Sequence, residues 1–188
     1  MERKITDARQ EMSYDPAQQA VSDHARPGQG LLSDFGIILS VVIVATLGGL
    51  VSGGSDDPWY ASLSKPEFNP PDFAFAIVWP ILYVLMAIGA IIVRHNARRF
   101  EWAGMCFALF FLQLGLNLGW SVLFFFFHKP VWALINLVAL WIAAALMIRE
   151  FFKFSRFAAI IQLPYLGWLS FAAYLNGSIV SLNEFGLF

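Results

Sequence analysis

The chain consists of five long apolar stretches, separated by short segments that carry its charges. Each stretch has the roughly 20 residues that a helix needs to cross about 30 Å of hydrocarbon, and no Asp, Glu, Lys or Arg falls within its core. Because backbone groups in lipid must hydrogen-bond within the protein, we predict helices rather than loops or open sheets. The predicted spans are residues 35–54, 73–93, 102–127, 131–152 and 157–182.

Composition supports this pattern. Hydrophobic residues make up 59% of the 188 positions and charged residues 13%, whereas a soluble domain carries about 25% charged residues. A net charge of −1 argues against a nucleic-acid-binding protein, which needs a clustered basic surface. The expected fold class is therefore an all-α, multi-pass integral membrane protein: a bundle of five transmembrane helices in a lipid bilayer, over residues 34–188.

The N-terminal segment and the charged loops predict an orientation. Residues 1–33 are polar and mixed in charge, which predicts a disordered tail. Ten of the 12 Lys and Arg residues fall in this tail and in the second and fourth loops; Lys65 and Lys129 lie on the other side. In a bacterial inner membrane this bias places the N-terminus in the cytoplasm and the C-terminus outside. The rule does not apply in this form to an outer membrane.

The first long loop, residues 55–72, is rich in proline and aromatic residues. Pro66, Pro70 and Pro71 fix φ and remove backbone donors, so we predict a stiff, extended segment rather than a helix. Trp and Tyr rings favour the membrane surface. A rigid apolar loop at that surface is expected to cover a site.

Polar and aromatic side chains recur at helical spacing within the spans. These faces comprise Phe75, Trp79 and Tyr83; Gln113, Asn117 and Trp120; and Tyr165, Trp168, Ala172, Asn176, Ile179 and Asn183. Amides at such positions join helices, each contributing about 0.6 kcal/mol on average, and packing explains Trp132, Asn136 and Trp141 adequately. Trp–amide faces equally suit a pocket for a large, flat, apolar molecule with a few polar edges. Both interpretations remain open.

Smaller features predict local structure rather than chemistry. Pro80 and Pro164 are expected to kink their helices, and Gly48, Gly49, Gly53 and Gly54 indicate a close helix contact, either within the chain or between subunits. His24, His95 and His128 show no metal-binding spacing and are interpreted as solvated side chains. No residue is predicted to be catalytic, and neither a metal nor a cofactor is expected.

Three blocks of sequence resemble a known family. WYASLSKPEFNPPDFAFAIVWPILYVLM, QLGLNLGWSVLFF and LPYLGWLSFAAYLNGSIVSLN are similar, in order and spacing, to the signature blocks of the translocator protein family. This family is also called TspO/MBR, peripheral-type benzodiazepine receptor or tryptophan-rich sensory protein. The resemblance covers residues 35–183 and is to bacterial-type members.

The resemblance implies a homodimeric five-helix bundle that binds tetrapyrroles such as protoporphyrin IX as ligands rather than as cofactors. Relatives also bind cholesterol and benzodiazepine-like compounds. By position, the implied ligand-binding residues are Trp79, Tyr83, Gln113, Asn117, Trp120, Tyr165, Trp168, Ala172 and Asn176. The implied lid loop contains Asp56, Asp57, Trp59, Lys65, Pro66, Pro70 and Pro71. We expect Lys65 either to pair with Asp56, Asp57 or Glu67 or to meet a ligand propionate.

Two departures from the family pattern bear on function. Phe73 stands where the family often has Trp, and no Lys or Arg follows Arg156, so the cholesterol-recognition pattern of animal members is not matched. The leading hypothesis is a membrane receptor or sensor for porphyrins that also mediates their transport or efflux. The alternative is light- and oxygen-dependent porphyrin degradation by the pocket tryptophans. Active secondary transport is disfavoured by the absence of charges within the span cores.

Overall fold

The structure is a computed structural model that describes residues 27–52, 57–97 and 103–186, and every regular element in those ranges is a helix. The chain divides into two units, residues 1–36 and residues 37–188. The first is described over residues 27–36, where the first helix begins, and all packing below is within the second. The helices are α1 (Pro27–Ser52), α2 (Pro58–Ser62), α3 (Asp72–Asn96), α4 (Gly104–Ser121), α5 (Pro130–Phe152), α6 (Arg156–Ile160) and α7 (Leu163–Leu182).

Within the described residues, five segments are long and apolar enough to cross a membrane, which confirms the all-α, five-span prediction. They are Gly30–Ser52, Asp72–Asn96, Gly104–Phe126, Pro130–Phe152 and Arg156–Leu182. The first described helix begins at Pro27 rather than near Phe35, and proline suits the first position of a helix. The prediction of a disordered tail was therefore wrong for residues 27–33, which are helical. Trp102 and the predicted tail up to residue 26 lie outside the described residues.

The third and fifth spans are less regular than the sequence predicts. α4 ends in a π-helical turn, Val122–Phe126. The fifth span is interrupted at Ile161 and Gln162, so that Pro164 lies in the first turn of α7 instead of kinking a continuous helix. Pro80, in contrast, lies inside the continuous helix α3.

The loop before α3 contains a turn of helix that the sequence analysis missed. α2 occupies Pro58–Ser62, where an extended segment was predicted. The Asp57 carboxylate caps this helix by accepting a hydrogen bond from the Tyr60 backbone N–H at 2.8 Å, and Pro58 occupies the favoured first turn. The prediction was wrong here because the prolines that prevent a helix begin later, at Pro66.

The core lies around α5, which packs against α4 and α7, while α3 packs against α4 and α6. Its fully or almost fully buried side chains are aliphatic, aromatic and sulfur-containing. They include Leu82, Met86, Phe110, Leu114, Leu137, Leu140, Met147 and Leu169. α1 is packed more loosely: from residue 37 onwards its buried positions are Ile37, Val41 and Gly48. Four spans thus form a compact frame, and α1 forms one wall beside it.

A buried glutamine joins the interrupted fifth span to α3. Gln162 is completely buried, and its Nε2 donates to the carbonyl oxygen of Leu85 at 2.9 Å. Gly89 makes this approach possible, since a Cβ there would collide with Nε2 of Gln162 and lie 3.2 Å from the carbonyl oxygen of Ala158. The break in the span is therefore held by a specific contact.

Replacing Gly89 with alanine is expected to destabilise the bundle. The added Cβ must displace Gln162 or the α6 backbone, and overpacking of this kind costs about 1–3 kcal/mol. The matched control is Gly115→Ala, at a helical glycine where a Cβ meets nothing within 4 Å. Thermal unfolding in detergent should show a lower midpoint for Gly89→Ala and an equal or higher one for Gly115→Ala. Equal midpoints for Gly89→Ala and the wild type would contradict this assignment.

Candidate functional site: a cavity between α1, α3, α4 and α7

A cavity of about 780 Å³ lies between α1, α3, the C-terminal part of α4 and α7. Its volume falls in the range of about 300–1,000 Å³ that is usual for small-molecule sites. The wall is mostly apolar, and Tyr60 and Asp72 border it at the end nearest the first loop. The described structure therefore contains room for a ligand of cofactor size.

Small residues on α1 provide part of this room. Ala45, Gly48, Gly49 and Ser52 line the cavity at the spacing of one helical face. A Cβ at Gly49 would meet nothing within 4 Å, and one at Gly48 would lie at ordinary contact distance from Ser121. Gly49 therefore widens the cavity, whereas Gly48 is buried where α1 approaches Ser121 and Tyr83. Gly53 and Gly54 lie outside the described residues.

The cavity opens on the side of the bundle that would face lipid. Ile38 and Val42 of α1 and Phe73 and Val84 of α3 line it, yet these side chains are 45–66% exposed. Because the exposed residues come from two adjacent walls, the opening lies between α1 and α3. An apolar molecule dissolved in the bilayer would meet this opening directly.

Six of the nine predicted ligand-binding residues line the cavity, and three lie behind its wall. The lining residues are Trp79, Tyr83, Asn117, Trp120, Ala172 and Asn176. Gln113 and Tyr165 are fully buried and, like Trp168, do not border the cavity. Helical periodicity thus predicts which residues come together. It does not distinguish the residues that line the cavity from those that lie behind its wall.

A chain of hydrogen bonds leads from the cavity wall into the core and holds two of the lining side chains in place. The Tyr83 hydroxyl donates to Oδ1 of Asn117 at 2.6 Å, and Nδ2 of Asn117 donates to the Tyr165 hydroxyl at 3.3 Å. Tyr165 in turn donates to Oε1 of Gln113 at 2.7 Å. Gln113 and Tyr165 therefore fix the orientation of the two side chains that face the cavity.

Asn176 of α7 holds the Trp120 side chain of the cavity wall in a similar way. Its Oδ1 accepts a hydrogen bond from Nε1 of Trp120 at 3.1 Å, and its Nδ2 donates to the carbonyl oxygen of Pro130 at 2.9 Å. Both ends of the amide are therefore used within the protein. This arrangement favours a role in positioning the Trp120 ring over direct hydrogen bonding to a ligand.

Trp168 supports Trp79 from outside the cavity. The two indole rings are nearly perpendicular, with centroids 6.5 Å apart, and Phe75 lies edge-on to Trp168 at 5.6 Å. Nε1 of Trp168 is buried without a hydrogen-bond partner in the described part of the chain. Trp79 is thus the member of the pair whose ring a cavity ligand would touch.

The first loop is fastened to the end of the bundle at two points. Ser64 and Asn183 form a reciprocal pair in which the Ser64 backbone N–H donates to Oδ1 of Asn183 and Nδ2 of Asn183 donates to the Ser64 carbonyl, each at 2.9 Å. Trp59 stacks on the imidazole of His128, with centroids 4.2 Å apart. His128, predicted as a solvated side chain, is exposed but has this stacking partner.

Lys65 contacts an aromatic ring instead of the acidic partners that we expected. Its Nζ lies 4.1 Å from the centroid of the Tyr60 ring, a cation–π arrangement. No ion pair joins Lys65 to Asp57 or Glu67 within the described residues, and Asp56 lies outside them. The loop continues through Pro66, whose carbonyl accepts a hydrogen bond from the Asn69 backbone N–H at 3.0 Å.

None of the described residues that were predicted to form a lid borders the cavity. They are Asp57, Trp59, Lys65, Pro66, Pro70 and Pro71. Two neighbours that the sequence analysis did not single out, Tyr60 and Asp72, do border it. Burial raises the pKa of Tyr60, the Asp72 carboxylate raises it further, and a hydrogen bond with Asn69 lowers it. The Tyr60 hydroxyl is therefore a neutral hydrogen-bonding group at physiological pH.

The described parts of the chain contain no cluster of three His, Cys, Asp or Glu residues that could hold a metal ion. The polar groups that border the cavity are instead hydroxyls, amides, two indoles and the single carboxylate of Asp72. Such a set can hydrogen-bond to the edges of a ligand, while the aromatic rings contact its faces. The site has the composition of a binding cavity.

Comparison with known proteins identifies the relatives of this chain. The model of the TspO/MBR family matches residues 37–182. The tryptophan-rich protein TspO of Archaeoglobus fulgidus is 40% identical over 146 residues, 78% of this chain and 94% of that protein. The translocator protein of Sus scrofa is 37% identical over 76% of this chain and 87% of its own length. The tryptophan-rich sensory protein of Cereibacter sphaeroides is 33% identical over 74% and 84%.

The hydrogen-bond chain predicts a stability cost for Tyr165→Phe. Removing this buried hydroxyl leaves Oε1 of Gln113 and Nδ2 of Asn117 without their partner, which should lower the free energy of unfolding by about 1–2 kcal/mol. Tyr174→Phe removes the same group from a tyrosine of α7 that is 48% exposed. Denaturant unfolding in detergent should separate the two variants. Equal stability of the two variants would show that the hydrogen bonds of Tyr165 do not contribute to the free energy of unfolding.

Proposed function

The chain belongs to the TspO/MBR family, and we propose that it is a membrane receptor for porphyrins of the protoporphyrin IX type and related flat, apolar ligands. The observation that carries this proposal is the apolar cavity of about 780 Å³ with its opening between α1 and α3. A multi-pass membrane protein with such an opening can take a ligand directly from the bilayer. Transport or efflux of the bound ligand, and sensing of it, are part of the proposal.

Within the cavity the ring system would lie against aromatic side chains. Trp79 forms the α3 side of the wall, and Trp120 stacks on Phe124 at 5.4 Å on the α4 side. Offset and edge-to-face contacts with such rings contribute about 0.5–1.5 kcal/mol each beyond the area they bury. The hydroxyls of Tyr83 and Ser121 supply polar contacts for the edges of the ring.

The proposal extends to assembly and orientation. We propose a homodimer in the membrane, as the family resemblance implies, with the N-terminus on the cytoplasmic side if the membrane is a bacterial inner membrane. Four basic residues lie at one end of the bundle: Arg94 and Arg149 in the last turns of α3 and α5, Lys153 just after α5, and Arg156 at the start of α6. Nδ2 of Asn96 donates to the carbonyl of Phe154 at the same end. This clustering supports that orientation.

The direct test is a titration of the detergent-solubilised protein with protoporphyrin IX in the dark, followed by porphyrin absorbance and tryptophan quenching. Trp79→Phe should raise Kd about fivefold, the equivalent of roughly 1 kcal/mol, because Trp79 borders the cavity. Trp168→Phe should have a smaller effect. Trp141→Phe is the control, since that indole donates to Ser170 at the exposed surface of the bundle. Linear uptake, or equal Kd values in all variants, would indicate partition into detergent.

A larger side chain on the α1 wall should fill the cavity and weaken porphyrin binding without disturbing the frame of the other four spans. Gly49→Leu places a side chain in open space on the α1 wall, so the thermal midpoint should be unchanged while porphyrin affinity falls at least about tenfold, or 1.4 kcal/mol. Gly115→Leu makes the same change at an open helical position outside the cavity. Normal porphyrin binding by Gly49→Leu would place the ligand elsewhere.

The perpendicular pair of Trp79 and Trp168 favours one alternative, light- and oxygen-dependent breakdown of the bound porphyrin. Repeating the titration under illumination in air separates the two functions. Loss of porphyrin absorbance that Trp79→Phe abolishes would indicate degradation, whereas unaltered porphyrin extracted from the illuminated protein would indicate binding alone.

A further inference from the structure

The backbone carbonyl of Ala76 on α3 lacks the hydrogen-bond donor that a helix normally provides. In an α-helix this oxygen accepts from the N–H four residues later, and that residue is Pro80, which has no N–H. The other prolines of the described helices lie in first turns, where an N–H has no intrahelical partner in any case: Pro27, Pro58, Pro130 and Pro164. Pro80 is therefore the proline that removes a backbone hydrogen bond from a described span.

The structure around this carbonyl does not replace the missing donor. α3 is a continuous α-helix over Asp72–Asn96, without the 3₁₀ or π-helical turn that can give such a carbonyl another N–H. Two hydroxyls that border the same cavity are engaged elsewhere: that of Tyr83 donates to Oδ1 of Asn117, and that of Ser52 donates to a carbonyl of its own helix. Among the described side chains, none donates to the Ala76 oxygen.

This carbonyl lies on the wall of the cavity, beside the opening between α1 and α3. Ala76 and Pro80 both line the cavity and both are exposed, and the methyl group of alanine is too small to cover the oxygen. Ala76 is four residues after the start of α3, about 6 Å along the helix axis at 1.5 Å per residue. An unpaired backbone group at membrane depth is tolerated where it lines a cavity, and a molecule in this cavity can reach it.

Most other polar groups of the inner cavity are already paired. The amides of Asn117 and Asn176 use both their oxygen and their nitrogen within the protein. The Asp72 carboxylate lies one turn nearer to the loop and is exposed there. The Ala76 carbonyl therefore provides an acceptor inside the apolar part of the cavity. A carbonyl oxygen can bond to an O–H or N–H group but gains nothing from a second acceptor.

We propose that the Ala76 carbonyl is a binding contact of this cavity, which accepts a hydrogen bond from an O–H or N–H group on the edge of a flat, apolar ligand. A hydroxyl, an amide N–H and a protonated carboxyl group all supply such a donor. With that group at Ala76, the apolar body of the ligand would extend along α3 past Val84 and Ala87, which also line the cavity. The inference rests on the proposed small-molecule site and specifies the polar group that the site recognises.

The test changes the donor at position 80. Pro80→Ala restores an N–H, so that the Ala76 carbonyl is used within the helix. Lactic acid incorporated at position 80 is the matched control, because it carries the methyl group of alanine but has an ester oxygen in place of the N–H. The carbonyl then stays unpaired without the proline ring. Pro80→Ala should have a thermal midpoint equal to or above that of the wild type, since it gains a backbone hydrogen bond.

The probes are pyrene with a hydroxymethyl group and the same ring with a methoxymethyl group, titrated in an uncharged detergent and followed by energy transfer from tryptophan. The ratio of their Kd values is compared between proteins, so that partition into micelles cancels. Wild type and the lactic acid variant should prefer the alcohol, and Pro80→Ala should reduce this preference about three- to tenfold. An unchanged preference in Pro80→Ala, equal losses in both variants, or no saturable binding of either probe would overturn the inference.

Protoporphyrin IX dimethyl ester, whose edge carries no donor, separates this inference from the proposed function. Its Kd should change less than about twofold in Pro80→Ala, since it makes no hydrogen bond to the carbonyl. If the ester saturates the protein while the alcohol preference does not follow the N–H at position 80, the porphyrin site stands and the role of Ala76 is overturned. If that preference holds while no porphyrin saturates the protein, the porphyrin function is overturned and the role of Ala76 stands.

Discussion

The structure depends on one constraint: in hydrocarbon, a backbone N–H or C=O has no water to bond with and must find its partner inside the protein. Helices satisfy it over most of the five spans, and the irregular places show how strictly it is met. In the π-helical turn after α4, the Phe127 N–H still bonds to the Val122 carbonyl at 3.0 Å. At the break before α7, the backbone N–H of Gln162 bonds to Ala159 at 3.1 Å, and its side chain reaches Leu85.

The same constraint governs the side chains. With no charges in the span cores, the polar groups available are amides, hydroxyls and indoles, and most of those near the cavity pair with one another before any ligand arrives, Nε1 of Trp168 being an exception. Tyr83 donates to Asn117, Asn117 donates to Tyr165, and Asn176 is occupied by Trp120 and Pro130. The cavity is therefore preorganised, and its interior offers few free polar groups.

Periodicity predicted much of this arrangement and missed what depends on distant partners. Spacing within one helix placed Trp79 beside Tyr83 and brought Gln113 into register with Asn117, because residues four apart share a helical face. It could not show that Lys65 lies over Tyr60 or that His128 stacks on Trp59, since those pairs form between separate segments. The α1 wall was missed for another reason: Gly49 contributes by leaving space, and an absent side chain gives no hydrophobic signal.

Stiffness is distributed unevenly around the cavity, and this bears on how a ligand would reach it. The loop end is held by the Ser64–Asn183 pair, by the Trp59–His128 stack and by prolines with fixed φ. α1, in contrast, buries few of its side chains, and its cavity face includes the small residues Ala45, Gly48, Gly49 and Ser52. Passage through the opening between α1 and α3 requires none of these loop contacts to break. We therefore expect exchange to proceed through the lipid-side opening between α1 and α3.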